Sequence, residues 1–171
     1  MTKRLPRRSL QVELNRGTRA WTPAATRMGI WATAALGRQA AGRELSVRIV
    51  GCAESRRLNK RWRNIDKPTN VLSFPTQDPN ASARAALRRA TKLPGAPLGD
   101  LVMCAPLVRD EALEQGKSIT AHWAHLVVHG TLHLIGYDHE LGKRERYRME
   151  RREIRVLREL GFGNPYASAA P

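Results

Sequence analysis

Acidic residues are scarce in this sequence: 15 Asp and Glu face 30 Lys and Arg, for a formal charge of +15 over 171 residues. That balance suits contact with a polyanion such as nucleic acid. The same charge also serves solubility, and a GC-rich genome that favours arginine would produce it too. Cysteine is nearly absent. Cys52 and Cys104 are far apart, each in an apolar strand-like run. They read as buried thiols, which excludes a disulfide framework or a cysteine metal pair and fits a reducing, cytoplasmic setting. Long apolar runs are missing as well, and nothing reaches the roughly 20 residues of a membrane span. Met28–Leu36 is apolar but short, and Arg27 and Glu13 interrupt the approach to it, so neither a secretory signal nor a membrane partner is expected.

What is present is an apolar fraction of 42%, which fits a soluble globular protein at a length typical of one domain. Residues 1–8 read as a basic flexible tail, 9–166 as one domain and 167–171 as a short tail. Strand patterns occur at Leu10–Leu14, Leu45–Val50, Asn70–Phe74 and Leu98–Cys104. Helices are expected from Pro23 to about Ala41 and from Ala53 to Arg63, the second with Leu58 and Trp62 on its inner side. Others are expected from Pro106 to Gly116, from Ser118 as cap through the histidines to Ile135, and over 143–160. An Ala/Arg stretch at 80–93 stays open between helix and loop. Four strands mixed with helices give an α+β or α/β sandwich with the sheet behind the histidine helix.

The most informative stretch is His129-Gly-Thr-Leu-His133-Leu-Ile-Gly136-Tyr-Asp-His139. On a helix, His129 and His133 lie one turn apart on one face. Gly136 permits a sharp exit that brings His139 back toward them. Three neutral imidazoles at one point make a zinc site with the fourth position open. The spacing is that of the metzincin peptidase motif, except that Gly130 stands where those peptidases carry their glutamate base. The metal half of the signature is therefore present without the peptidase half. His122 and His125 share the same helix, and a His125/His129 pair is sterically possible. The glycine turn favours the later trio and leaves His122 and His125 with supporting or packing roles.

A second signature is Trp62-Arg63-Asn64-Ile65-Asp66-Lys67-Pro68-Thr69-Asn70-Val71-Leu72-Ser73-Phe74-Pro75. Together with Leu98-Gly99-Asp100 and the histidine block, it resembles the YbeY family of bacterial zinc-dependent endoribonucleases, over roughly residues 10–166. The resemblance implies an α+β fold with a small central mixed sheet of about four strands flanked by helices. It implies a metallohydrolase domain with one Zn2+ per chain on His129, His133 and His139, and an activity-bearing arginine at Arg63. It further implies action on ribosomal RNA and the small ribosomal subunit: maturation of the 16S 3′ end and ribosome quality control. Asn70 stands where the family often has aspartate. The stretch at 80–93 and the basic final helix lie outside the shared pattern as read here.

The histidine trio fits that chemistry on its own, and the reading of Arg63 rests on the resemblance. Zinc on three neutral histidines lowers the pKa of its water to about 7, so hydroxide needs no glutamate. That hydroxide either attacks phosphorus or deprotonates the 2′-hydroxyl. Arg63 suits the phosphate because its planar fork makes paired hydrogen bonds and stays charged. Asp138 either serves the metal histidines as partner or proton carrier, or caps the turn; Asp100 is a weaker candidate for the same job. Trp62 and Phe74 stack on bases or fill the core, and burial statistics favour the core. Arg56, Arg57, Lys60 and Arg61 extend a phosphate-binding surface. The final helix, with Glu145, Glu150 and Glu153 among its arginines, reads largely as a solvated ion-paired face. The competing readings are a metallohydrolase of another substrate, which Gly130 opposes, and a non-catalytic ribosome-assembly factor with structural zinc. The second needs a fourth ligand such as His125. Nickel and copper also suit imidazole.

Overall fold

A computed structural model of the protein describes residues 9–76 and 97–167. The expected tail at 1–8, the stretch at 80–93 and residues 168–171 lie outside it. Four strands form one sheet: β1 (Gln11–Arg16), β2 (Glu44–Val50), β3 (Val71–Pro75) and β4 (Gly99–Cys104), in the order β1-β2-β4-β3. The first three in that order are parallel, and β3 runs antiparallel to β4. The described helices are α1 (Ala25–Leu36), α2 (Cys52–Arg63), α3 (Ala105–Glu114), α4 (Ile119–Leu134) and α5 (Lys143–Glu159). The architecture is α+β with a mixed sheet.

Alternation along the strands divides the interior. Leu45, Val47, Ile49, Leu101 and Met103 point to one face, where they meet Met28 and Trp31 of α1, Trp123 and Leu132 of α4, and Met149 and Val156 of α5. Val50, Val102 and Cys104 point to the other, with Leu58 of α2 against them. Each of these residues named on the first face is at most 3% exposed. Burial on this scale is the main stabilising term, since each fully buried Leu, Ile or Met contributes about 1.5–3 kcal/mol.

Three expectations need correction. The first helix stops at Leu36, and a 3-10 turn over Gly37–Ala40 carries the chain on. Leu58 does face inward, but the buried residues of α2 are polar, Ser55 and Asn59, and Trp62 is 58% exposed. The reason is that these two residues pin the loop that follows. Ser55 Oγ donates to the Thr69 carbonyl at 2.7 Å and accepts from the Thr69 N–H at 2.9 Å, and Asn59 Nδ2 donates to the Lys67 carbonyl at 2.8 Å. Finally, Cys52 opens α2 and is exposed, with its sulfur 3.8 Å from that of buried Cys104. The thiols are distant in sequence but adjacent in space because β2 and β4 are neighbours, with Val50 opposite Cys104. Both are free.

Gly130 sets how closely α4 lies on the sheet. A Cβ there would stand 2.8 Å from Leu101 Cδ2 and 3.3 Å from both Ser73 Oγ and Val71 Cγ2. Ser73 Oγ donates to the Gly130 carbonyl at 3.2 Å, closing the contact from the strand side. The position that holds glutamate in the peptidase motif therefore faces β3 and β4. Gly130→Glu should destabilise the fold by on the order of 3 kcal/mol or more, through overpacking and a buried carboxylate. Denaturant titration would measure this; an unchanged midpoint would mean that α4 does not sit this close.

Candidate metal centre and its cleft

Ser118 starts α4 by accepting the Ala121 N–H at its Oγ, 3.1 Å away. His129 and His133 follow one turn apart near the other end. The helix closes with Gly136 at φ 93: its N–H donates to the His133 carbonyl at 3.0 Å, and the Tyr137 N–H to the Leu132 carbonyl at 3.1 Å. This reciprocal pair is a Schellman cap, which turns the chain sharply. Asp138 then accepts the Glu140 N–H at 2.9 Å and caps the 3-10 turn that begins at His139. The three rings converge, with centroids 4.7 Å (His129–His133), 5.2 Å (His129–His139) and 5.1 Å (His133–His139) apart. One nitrogen from each lies within 4.8 Å of the others.

A carboxylate orients the first ring. Glu153 of α5 is fully buried, and its Oε1 lies 2.6 Å from His129 Nδ1. Its Oε2 lies 3.3 Å from His125 Nε2 and also accepts the Tyr166 hydroxyl. Burial alone would raise the Glu153 carboxyl, but the hydrogen bonds to His125 and His129 outweigh it and hold it well below the usual carboxylate range. With Nδ1–H given to Glu153, His129 presents the lone pair of Nε2, 3.2 Å from His133 Nε2. Burial, and then the neighbouring His129 and His139, push His133 down to about 4. Burial followed by His129 also lowers His139. Three close imidazoles, two of them disfavoured as cations and the third oriented by a buried carboxylate, form a donor set that fits zinc, nickel or copper.

His125 turns toward Glu153 and lies outside the convergent trio. His122 is buried, with Nε2 2.7 Å from Glu111 Oε2. Glu111 also accepts from Asn70 Nδ2 at 3.0 Å, while Asn70 Oδ1 accepts the Val71 N–H at 2.7 Å. Asn70 thereby ties the start of β3 to α3.

The trio opens on a cleft of about 650 Å³. Trp62, Arg63 and Phe74 line it together with the three histidines, Asp138 and Glu140. Arg63, at the end of α2, is exposed and ion-paired with Glu140 on the His139 turn. Asp138 is half-buried beside His139 and combines its place on the cleft wall with the capping role. Asp100 borders a different hollow, with Gln11 and Glu44, so it is no partner of the histidines. Tyr137 packs on the core beneath the Arg148 guanidinium, 5.2 Å from its ring centre.

The sequence reading missed Glu153, Glu140 and Tyr166. Glu145 does pair with Arg148, at 3.6 Å on the surface, but Glu153 is not part of that solvated face. The signal was its spacing: it lies four residues after buried Met149 and three and four before buried Val156 and Leu157. A carboxylate on an apolar stripe needs a buried partner.

A model of the family described as Endoribonuclease YbeY matches residues 19–161. The match takes in α5, which corrects the reading that the final helix stands outside the shared pattern. A Pseudomonas putida (strain W619) protein of that name is 46% identical over 158 residues, covering 92% of this chain and 94% of its own. One from Stutzerimonas stutzeri (strain A1501) is 43% identical over 162 residues, covering 95% and 94%. In fold the chain is similar to a solution structure from Thermotoga maritima, with TM-score 0.56, 21% identity and 88% of both chains covered. The chain belongs to the YbeY family.

The electrostatics set an acid limit. His133 has a folded value of about 4 against 6.5 for free histidine, so the unfolded chain takes up this proton first and stability falls as pH drops through that window. The depressed Glu153 carboxyl contributes stability that is intact above its ordinary value of 4.5 and is lost below it. Both act in one direction. In chelator, the thermal midpoint should fall steadily from pH 6.5 downward, more steeply below 4.5. A flat profile between pH 7 and 4 would contradict the buried, neutral imidazole.

Proposed function

We propose that this protein is a zinc-dependent, single-strand-specific endoribonuclease acting in maturation of ribosomal RNA, including the 16S 3′ end, and in ribosome quality control. Its partners on this reading are ribosomal RNA and the small ribosomal subunit in the cytoplasm. Residues 9–166 act as one metallohydrolase domain. The observation that carries the proposal is the convergence of three imidazoles in a cleft shared with Arg63, in a chain whose relatives are named endoribonucleases. No helix among the described residues is long and apolar enough to cross a membrane.

His129, His133 and His139 would hold one Zn2+, which when bound supplies Lewis acidity and brings its water to a pKa of about 7. The protein's own groups do the rest. Glu153 accepts at His129 Nδ1 and orients the ring so that Nε2 faces the other two histidines. Arg63 receives the scissile phosphate: its fork offers two parallel hydrogen bonds and offsets charge in the transition state. The Glu140 carboxylate keeps that guanidinium at the cleft until a phosphate displaces it. Asp138 stands beside His139 as the group to carry a proton. His125 is engaged by Glu153 and stands outside the convergent three, which favours a catalytic over a closed four-ligand structural site.

His133→Ala should lose bound metal and RNA cleavage together, read by metal analysis and cutting of a structured ribosomal RNA fragment. Arg63→Ala should keep zinc and fold while kcat falls by about 10²–10³, the usual loss for one charge-stabilising donor. Glu153→Gln should weaken metal affinity by about 10–100-fold in chelator competition, because His129 loses its orienting carboxylate. Wild type that binds zinc yet cuts nothing, even with ribosomes added, would favour the assembly-factor reading.

A further inference from the structure

The cleft has an aromatic wall that the metal chemistry leaves unused. Trp62 lies in the last turn of α2, beside Arg63, and is 58% exposed, whereas Trp31 and Trp123 are 3% and 0% exposed in the core. Leaving a large indole in water is costly, so its position calls for a reason other than packing. The ring is nevertheless held. Phe74 of β3 meets it edge to face, with centroids 5.7 Å apart and planes at 70°. The Arg61 guanidinium stands 5.3 Å from its centre. Both aromatic rings border the same cleft as the histidine trio and Arg63. The other exposed indole, Trp21, does not line this cleft.

A flat, braced apolar surface next to a phosphate-binding arginine matches one nucleotide in its two parts, base and phosphate. We propose that Trp62, supported by Phe74, is a nucleobase-stacking subsite that takes an unpaired base flanking the phosphate held by Arg63. The inference rests on the endoribonuclease reading and deepens it. A base reaches the indole only when it is out of a duplex, so the subsite gives the cleft its preference for single strands. Every base has a π-face, so the subsite selects strandedness more than sequence. The neighbouring cations Arg61 and Arg63 add attraction for the backbone on either side of the base.

The test uses the zinc-loaded full-length protein, with a labelled, unstructured oligoribonucleotide and a series carrying one abasic nucleotide at successive positions. Binding is read by anisotropy and cleavage by kcat and KM. Trp62→Ala should weaken binding and raise KM by about ten-fold or more, the scale of one base–aromatic stack, with a much smaller change in kcat. Trp62→Phe should recover most of the loss. At one position the abasic substrate should bring wild type to the level of Trp62→Ala and cost that variant nothing further. If wild type cuts RNA while Trp62→Ala keeps its KM, or the two losses simply add at every position, the stacking subsite is wrong and the nuclease reading stands. If wild type neither binds nor cuts the oligoribonucleotide, both fall.

Discussion

The hydrogen bond between Glu153 and His129 Nδ1 is the constraint on which the centre depends. Imidazole has two nitrogens, and only one can face a metal with its lone pair. Fixing the proton on Nδ1 needs an acceptor behind the ring. The acceptor comes from α5, the last helix, so the centre on α4 is complete only when the end of the chain has docked. The carboxylate is fully buried, and its exclusion from water is offset by the two imidazoles and the Tyr166 hydroxyl gathered around it. Removing any one of these leaves a buried charge short of a partner, a larger penalty than the loss of one surface contact. Partial burial and then Glu153 raise the Tyr166 phenol above its ordinary value, so the hydroxyl stays a donor to Glu153.

The same economy shapes the other side of α4. The helix must approach the sheet closely enough to place its histidines at the end of β3, and Gly130 allows it by having no side chain to put between. A side chain there would force the helix away from Leu101 and Ser73 and move both His129 and His133. The absence of a glutamate at this position thus has two consequences. It removes the peptidase base, and it lets the sheet support the site from behind. Ser55 and Asn59 play the matching part for the opposite wall, holding the loop from Asp66 to Asn70 and hence the approach to β3.

Local signals were legible in the sequence and long-range ones were not. The strands, the Ser118 cap, the helical pair His129 and His133 and the glycine turn to His139 follow from spacing alone, because each depends on residues within about two turns. The arginine could be placed only through the resemblance, since one arginine in a basic helix looks like any other. Glu153 was misassigned because charge periodicity along α5 was weighed above its place on the apolar stripe. Trp62 was misassigned for the opposite reason: an aromatic four residues after Leu58 looks like core when the helix is read by itself. The buried polar pair of α2 becomes visible only once the loop that Ser55 and Asn59 anchor is in view. The thiol pair was missed for want of strand order, which puts β4 next to β2 across a gap of some fifty residues in sequence.

The scarcity of acids gains meaning in this light. In a chain with half as many carboxylates as cations, several of those it has gather around the histidines: Glu111 behind His122, Glu153 behind His125 and His129, Asp138 and Glu140 on the turn of His139. The rest of the surface stays strongly positive, which draws a polyanion over long range without specifying where it is cut. Close to the centre, the carboxylates act as fixed acceptors that set ring orientation and restrain one arginine. The Glu140 carboxylate holds the Arg63 guanidinium at the cleft. Attraction and positioning are thereby given to different groups, arginines and lysines over the surface and a few carboxylates at the centre.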